Sequence, residues 1–223
     1  MKSEHLGFLL PAFLSIGLHA AAVAHAQAPD LAAVIAGLQR RHAAVESIRA
    51  EFTQKYHAPG IEQTESGTMY MKKPGLMRWE YRDPEVKLFV ADGRNTYLYT
   101  PEDRQVVIQR FTSEDLRGTP LQFLLGQGDI RRGFEVSWEV VPALGAAEYL
   151  IRLTPRAAAS EYAYLVIACD RGSFDLRRLA IGEHSGNISE FLFRNLQVNG
   201  KLDGKQFEFK IPKGVEVIRL DEK

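Results

Sequence analysis

Three histidines follow residue 26, at His42, His57 and His184, and imidazole is the side chain best suited to move protons or hold a metal near neutral pH. None of them stands in an H-x-x-x-H or H-E-x-x-H spacing, and Cys169 is the only cysteine, so no multi-ligand zinc or iron–sulfur set can be assembled from the sequence. Ser185 follows His184 in a glycine-flanked loop, but adjacency along the chain does not make a triad, and no G-x-S-x-G turn is present. Gly126-Gln127-Gly128 lacks the third glycine and the strand-to-helix context that lets backbone amides cradle phosphate. Cys169 ends an apolar stretch with no cationic neighbour to lower its pKa, which describes an inert buried thiol. No catalytic residue, metal site or cofactor is expected, and the protein is not expected to be an enzyme.

A different kind of chemistry, the shielding of apolar surface, is better supplied. Met69 and Met71 alternate onto one face of a predicted strand, Met77, Trp79 and Tyr81 onto one face of the next, and Val86, Leu88 and Val90 onto one face of a third. If these faces line one concavity, methionine gives an adaptable wall and tryptophan a broad rigid one, which suits a flexible apolar ligand. Ordinary core packing accounts for the same pattern. A short, very apolar helix around Leu121–Leu125, opened by Pro120 and stopped by Gly126, is what admits a lidded cavity.

The elements that must position these residues are mostly strands. After Asp30, a plausible N-cap, Leu31, Val34, Ile35, Leu38 and Val45 fall on one helical stripe. From Ile48 the period changes to two, with Ala50, Phe52, Gln54 and Tyr56 alternating against Arg49, Glu51, Thr53 and Lys55. Strands are predicted near 65–73, 76–82, 86–91, 95–100, 105–111, 134–141, 148–154, 162–169, 176–182, 187–197 and 206–211. Turn residues such as Lys73-Pro74-Gly75, Asp83-Pro84 and Asp92-Gly93 divide several of them. About a dozen strands with short connections imply an antiparallel meander that curls toward a barrel, and the two apolar helices then belong on its concave face.

The 223 residues carry 28 Lys+Arg against 28 Asp+Glu, with 45% apolar residues, which describes a folded globular chain. Zero formal net charge argues against nucleic-acid binding, which draws on a cationic surplus to displace counterions from phosphate. Lys2, the apolar run Leu6–Leu18 and Ala24-His25-Ala26 read as a cleaved signal peptide over residues 1–26, placing residues 27–223 outside the cytoplasm as one domain. No cysteine stands at the cleavage point to accept a lipid anchor.

An ordered series of short motifs makes the pattern specific. It runs Phe52-Thr53-Gln54, Gly67, Lys73-Pro74 with Trp79 five residues on, Pro84, Ala91-Asp92-Gly93, Tyr99-Thr100-Pro101 with Gln105, Thr119-Pro120, Leu153-Thr154-Pro155, Phe207-Glu208-Phe209 and Pro212-Lys213-Gly214-Val215. The series resembles the periplasmic outer-membrane lipoprotein carrier family, LolA, over essentially all of residues 27–223.

The resemblance implies a mainly β, single-domain unclosed antiparallel barrel of about 11–12 strands, with an N-terminal helix and short internal helices as a lid. It implies a monomeric periplasmic chaperone, reached by Sec-type export, with outer-membrane lipoproteins as cargo. The donor would be an inner-membrane ABC transporter and the acceptor an outer-membrane lipoprotein receptor. An envelope sensor or adaptor of the same fold is the alternative.

Leu38, Met77, Trp79, Leu121 and Leu124 fall where the family places cavity or lid residues, and polar Gln122 takes a lid position that is often apolar. With Phe52, Met69, Met71 and Leu88 from the strand faces, these are the expected acyl-chain-binding residues. Lys73 occupies the position of a basic residue, typically arginine, that the family uses to latch the lid through helix carbonyls. Lysine offers a point charge there without arginine's planar fork.

Overall fold

Alternating side chains and closely spaced turn residues lay the chain out as one long antiparallel ladder in the computed structural model, which describes residues 29–113, 115, 129–140, 146–157 and 160–220. Helix α1 (Leu31–Ala43) leads into β1 (Ser47–Ala58), β2 (Ile61–Lys72), β3 (Leu76–Asp83), β4 (Lys87–Ala91), β5 (Asn95–Thr100) and β6 (Gln105–Arg110). The short α2 (Ile130–Gly133) opens the second half, β7 (Phe134–Val140), β8 (Glu148–Pro155), β9 (Tyr164–Asp170), β10 (Leu176–Gly182) and β11 (Ile188–Val198). A 3-10 turn (Gly204–Phe207) precedes β12 (Glu216–Arg219).

Among the described residues these strands form one 12-stranded sheet in the order β12-β6-β5-β4-β3-β2-β1-β11-β10-β9-β8-β7. The outermost strands, β12 and β7, do not pair with each other, so the barrel is not closed. The two meanders meet at its centre, where β1 and β11 pair from Ile48↔Val198 to His57↔Ile188.

The expectation of a strand over 206–211 is corrected. Those residues form the end of the 3-10 turn and an unpaired extended segment. The alternation of Phe207 and Phe209 that imitates a strand serves another purpose: Phe207 is buried, and the Phe209 ring lies 5.2 Å from Tyr97 and 5.7 Å from Tyr99. The segment is strapped across the face of β3–β6 that also carries buried Val90, Val106 and Ile108, and Arg78 Nη1 donates to Gln206 O at 3.3 Å. Beyond the strap the chain adds β12, whose pairing with β6 is parallel, the one departure from an antiparallel sheet.

The main core lies on the other, concave face. Cross-strand registers align Ile48, Met71, Met77 and Ala91 in one row, then Ala50, Met69, Trp79 and Phe89 in the next. Met69, Met71, Met77 and Trp79 are all buried, in one cluster with α1 residues Val34, Ile35 and Leu38. Each such side chain taken out of water contributes about 1.5–3 kcal/mol, and this apolar burial is what holds helix to sheet.

Candidate functional site

The helix that covers the concave face is itself well made. Asp30 caps it by accepting from Ala32 N at 3.0 Å, and Arg40, Arg41 and His42 in its last turn complement the negative end of the helix dipole. Gly37 sits on its buried side, where a Cβ would lie 2.5 Å from the ring of Phe174. The absent side chain lets the turn between β9 and β10 press an aromatic ring against the helix. That turn is held by Asp170 Oδ1, which accepts from Gly172 N and Ser173 N at 2.9 Å each, and these bonds pull its carboxyl below the usual range.

Polar contacts pin α1 at both ends. Arg41 Nη2 reaches Asp175 Oδ1 at 2.7 Å, on the same turn as Phe174, and Arg131 donates to Ala32 O. At the C-terminal end Lys73 Nζ donates to Ala43 O at 2.8 Å and stands 3.6 Å from Glu46, while its backbone N–H bonds Glu46 O. Asn199 completes the junction, donating to Ala44 O at 3.0 Å and accepting from Glu46 N at 2.7 Å. Lys73 therefore contacts a terminal carbonyl of α1 through a single ammonium donor.

Removing that donor should loosen the helix end while sparing the sheet. Lys73→Ala is expected to cost about 1 kcal/mol, read as faster amide exchange confined to α1 and the 44–46 junction. Lys73→Arg is expected to restore protection. Equal exchange in Lys73→Ala and the parent would show that the contact holds nothing.

A recess between the α1 C-terminus and the sheet, lined by Val45, Ile48, Met69, Leu176, Phe193 and Leu196 among others, has a volume of about 20 Å³. That is room for one water-sized sphere. In this conformation Val34, Ile35 and Leu38 of α1 share one buried cluster with Met69 and Ile48. The apolar face continues past it: the row Met69, Trp79, Phe89 extends in register to Leu98, Val107 and Ile218, and Leu98 is 40% exposed.

Of the expected binding residues, Leu38, Phe52, Met69, Met71, Met77 and Trp79 come together in the buried cluster. Leu88 does not. It pairs with Glu80 and Tyr99, which places it on the strapped face, because it is Phe89 that lies opposite Trp79. Leu121 and Leu124, like the leader 1–26, lie outside the described residues.

The histidine and cysteine chemistry resolves into local contacts. His184 Nε2 is 3.1 Å from Ser160 O, whereas Ser185 Oγ donates to Glu183 at 2.9 Å, so the two neighbours serve different partners. His57 Nδ1 faces Glu62 at 3.3 Å. Cys169 is fully buried, and burial, with Asp170 and Glu148 adding to it, pushes its thiol up to about 12. Among the described residues no three His, Cys, Asp or Glu side chains converge on a metal position.

Comparison with known proteins settles the kinship. Residues 43–210 match the family model described as outer membrane lipoprotein carrier protein LolA. The chain belongs to the LolA family. The outer-membrane lipoprotein carrier protein of Cupriavidus necator is 32% identical over 198 residues, covering 86% of this chain and 91% of that one. Its counterpart in Hahella chejuensis is 31% identical over 178 residues, covering 78% and 83%. An uncharacterized conserved protein from Thermus thermophilus shares the fold, with a TM-score of 0.53 at 12% identity over 84% of this chain and 98% of its own.

Contacts that sequence reasoning missed are those between distant segments. Nothing in the sequence links Arg41 to Asp175 or Ala44 to Asn199 until the fold brings them together. Glu65 and Lys87 on the concave face were also unmarked, although the alternation of the strands already places Gln54 on the face of Phe52 and Tyr81 on the face of Trp79.

Proposed function

We propose that the protein is a periplasmic carrier of outer-membrane lipoproteins, taking them from an inner-membrane ABC transporter and yielding them to an outer-membrane lipoprotein receptor. In this proposal residues 1–26 are a removed Sec-type leader, and residues 27–223 act as a single, monomeric carrier domain. The observation that carries it is the pairing of a broad apolar concave face with a helix that covers it and is fastened by side-chain contacts at its ends. Such a cover can leave without breaking any strand pairing. Membership of the LolA family and the carrier names of the relatives support the same conclusion.

Energetics give the arrangement its reason. At about 0.8 kcal/mol per methylene, exposing three acyl chains to water costs tens of kcal/mol, so free diffusion between membranes is excluded. A cavity that replaced the bilayer completely would approach the limit of about −20 kcal/mol for non-covalent binding and would not release its load. A face covered by α1 solves this, because chains must displace Leu38, Ile35 and Val34, and the returning helix then helps to expel them.

The test is transfer itself. Protein starting at residue 27, incubated with inner-membrane vesicles containing the matching transporter and ATP, should yield soluble lipoprotein–carrier complexes. Lipoprotein that stays in the membrane pellet under those conditions would overturn the proposal.

A further inference from the structure

Along β1 the concave face changes character. Ile48, Ala50 and Phe52 are buried and apolar, and the next inward position is Gln54. Gln54 pairs with Glu65 on β2, Gly67 pairs with Tyr81 on β3, and Tyr81 pairs with Lys87 on β4, so four polar side chains gather on the same face. They are joined to one another: Tyr81 Oη donates to Gln54 Oε1 at 3.2 Å, Lys87 Nζ is ion-paired with Glu65, and the same ammonium lies 4.7 Å over the Tyr81 ring. Tyr81 also joins them to the apolar floor, its ring 5.0 Å from Phe52, which in turn meets Trp79 at 4.8 Å.

A sheet that buries an apolar face has no structural need for an ion pair there, since half-burying two charges costs about as much as their attraction returns. The opposite face of β1, which carries Arg49, Glu51 and Lys55, is where such charges ordinarily go. The Glu65 and Lys87 side chains keep 21% and 24% of their surface exposed, so the group is reachable by a ligand on this face. Lys87 has three N–H donors, of which Glu65 engages one, and the Gln54 amide nitrogen has no partner among the described residues.

We propose that Gln54, Glu65, Tyr81 and Lys87 form a polar collar that binds the ester and amide groups linking acyl chains to their carrier molecule. The inference rests on the carrier function proposed above. Gln54 lies six positions along the strand from Ile48, about 20 Å, and an acyl chain, half of the roughly 30 Å hydrocarbon layer of a bilayer, fits that length. The chains lie over Phe52, Trp79 and Met69 with their ends toward α1, and the linkage carbonyls accept hydrogen bonds from Lys87 and Gln54. The same linkage chemistry occurs in a triacylated cysteinyl peptide and, as esters alone, in a diacyl phospholipid.

The experiment compares three probes on the protein from residue 27: a synthetic triacyl-cysteinyl peptide, a diacyl phosphatidylethanolamine, and the neutral apolar dye N-phenyl-1-naphthylamine, which has no carbonyl. Glu65→Gln/Lys87→Met removes the ion pair without stranding a charge, and Gln54→Leu removes the amide. Each variant is expected to bind the peptide about ten-fold more weakly while its dye binding and thermal midpoint stay at parental values. A smaller loss on the phospholipid assigns the collar to the amide-bearing ligand, and an equal loss on both assigns it to ester carbonyls in general. Unchanged peptide binding, or an equal loss on the dye, overturns the collar. Parental protein that binds the dye but not the peptide overturns the carrier function itself.

Discussion

Trp79→Ala is expected to lower the unfolding free energy by about 3–5 kcal/mol, the range for removing a large aromatic side chain from a packed core. The indole is buried at the middle of the concave face, edge-on to Phe52 at 4.8 Å and to Phe191 at 5.7 Å. Such aromatic pairs add about 0.5–1.5 kcal/mol each beyond the area they cover. Its strand neighbours on either side are Met69 and Phe89, fixed by backbone pairing, so the surrounding sheet cannot close the void by moving one strand. Urea denaturation is the direct measurement: with a slope of about 2–3 kcal/mol/M the midpoint should fall by about 1–2.5 M. A fall corresponding to less than about 1 kcal/mol would mean that the methionines flow into the space, and that the face is more plastic than its geometry indicates.

Gly67→Ala should be nearly as damaging for the opposite reason, an added methyl group rather than a missing ring. A Cβ at this position would stand 1.9 Å from Glu80 O and 2.8 Å from Glu80 C, with Phe52 Cε1 at 3.0 Å. The obstruction is backbone, so no rotamer change relieves it. The β2–β3 register already shifts between Ser66 and Gly67, and the extra atom forces the two strands apart at that irregularity. A loss of about 3 kcal/mol is expected, at the upper end of ordinary overpacking. Gly200→Ala is the control: nothing lies within 4 Å of a Cβ there, and its midpoint should stay within about 0.5 kcal/mol of the parent. Comparable losses at both positions would point to generic glycine effects and remove the close-approach argument.

The parts of the fold legible in the sequence are those governed by neighbours along the chain. The stripe Val34, Ile35, Leu38 and the alternation from Ile48 to Tyr56 depend on periods of 3.6 and two residues, and α1 and β1 follow them. Met69, Met71, Met77 and Trp79 could be assigned to shared faces for the same reason. Which face turns inward depends on pairing between strands, and there Leu88 misled: its own strand alternates correctly, but Phe89, not Leu88, stands opposite Trp79. The segment 206–211 has the composition of a strand because Phe207 is buried and Phe209 reaches the tyrosines of β5, and alternation alone does not reveal whether a ladder or an aromatic contact is being satisfied. The fastening of α1 by Asp175 and Asn199 joins residues more than 130 positions apart, and the collar depends on three strand registers at once. Neither leaves a local signature.

The pairing of β1 with β11 has a consequence for how the molecule comes into being. The first half, from β1 to β6, is a run of hairpins that can zip up from local contacts. The central seam instead joins Ile48 to Val198 and must wait for almost the whole chain to emerge. Closing so long a loop before any reward is collected puts the protein among slow folders, in the millisecond-to-second range of β-rich topologies. Until that moment β1 presents an open hydrogen-bonding edge beside a greasy surface, the combination most prone to self-association. The nascent carrier thus passes through an interval in which it has the same need for protection that it later relieves in others.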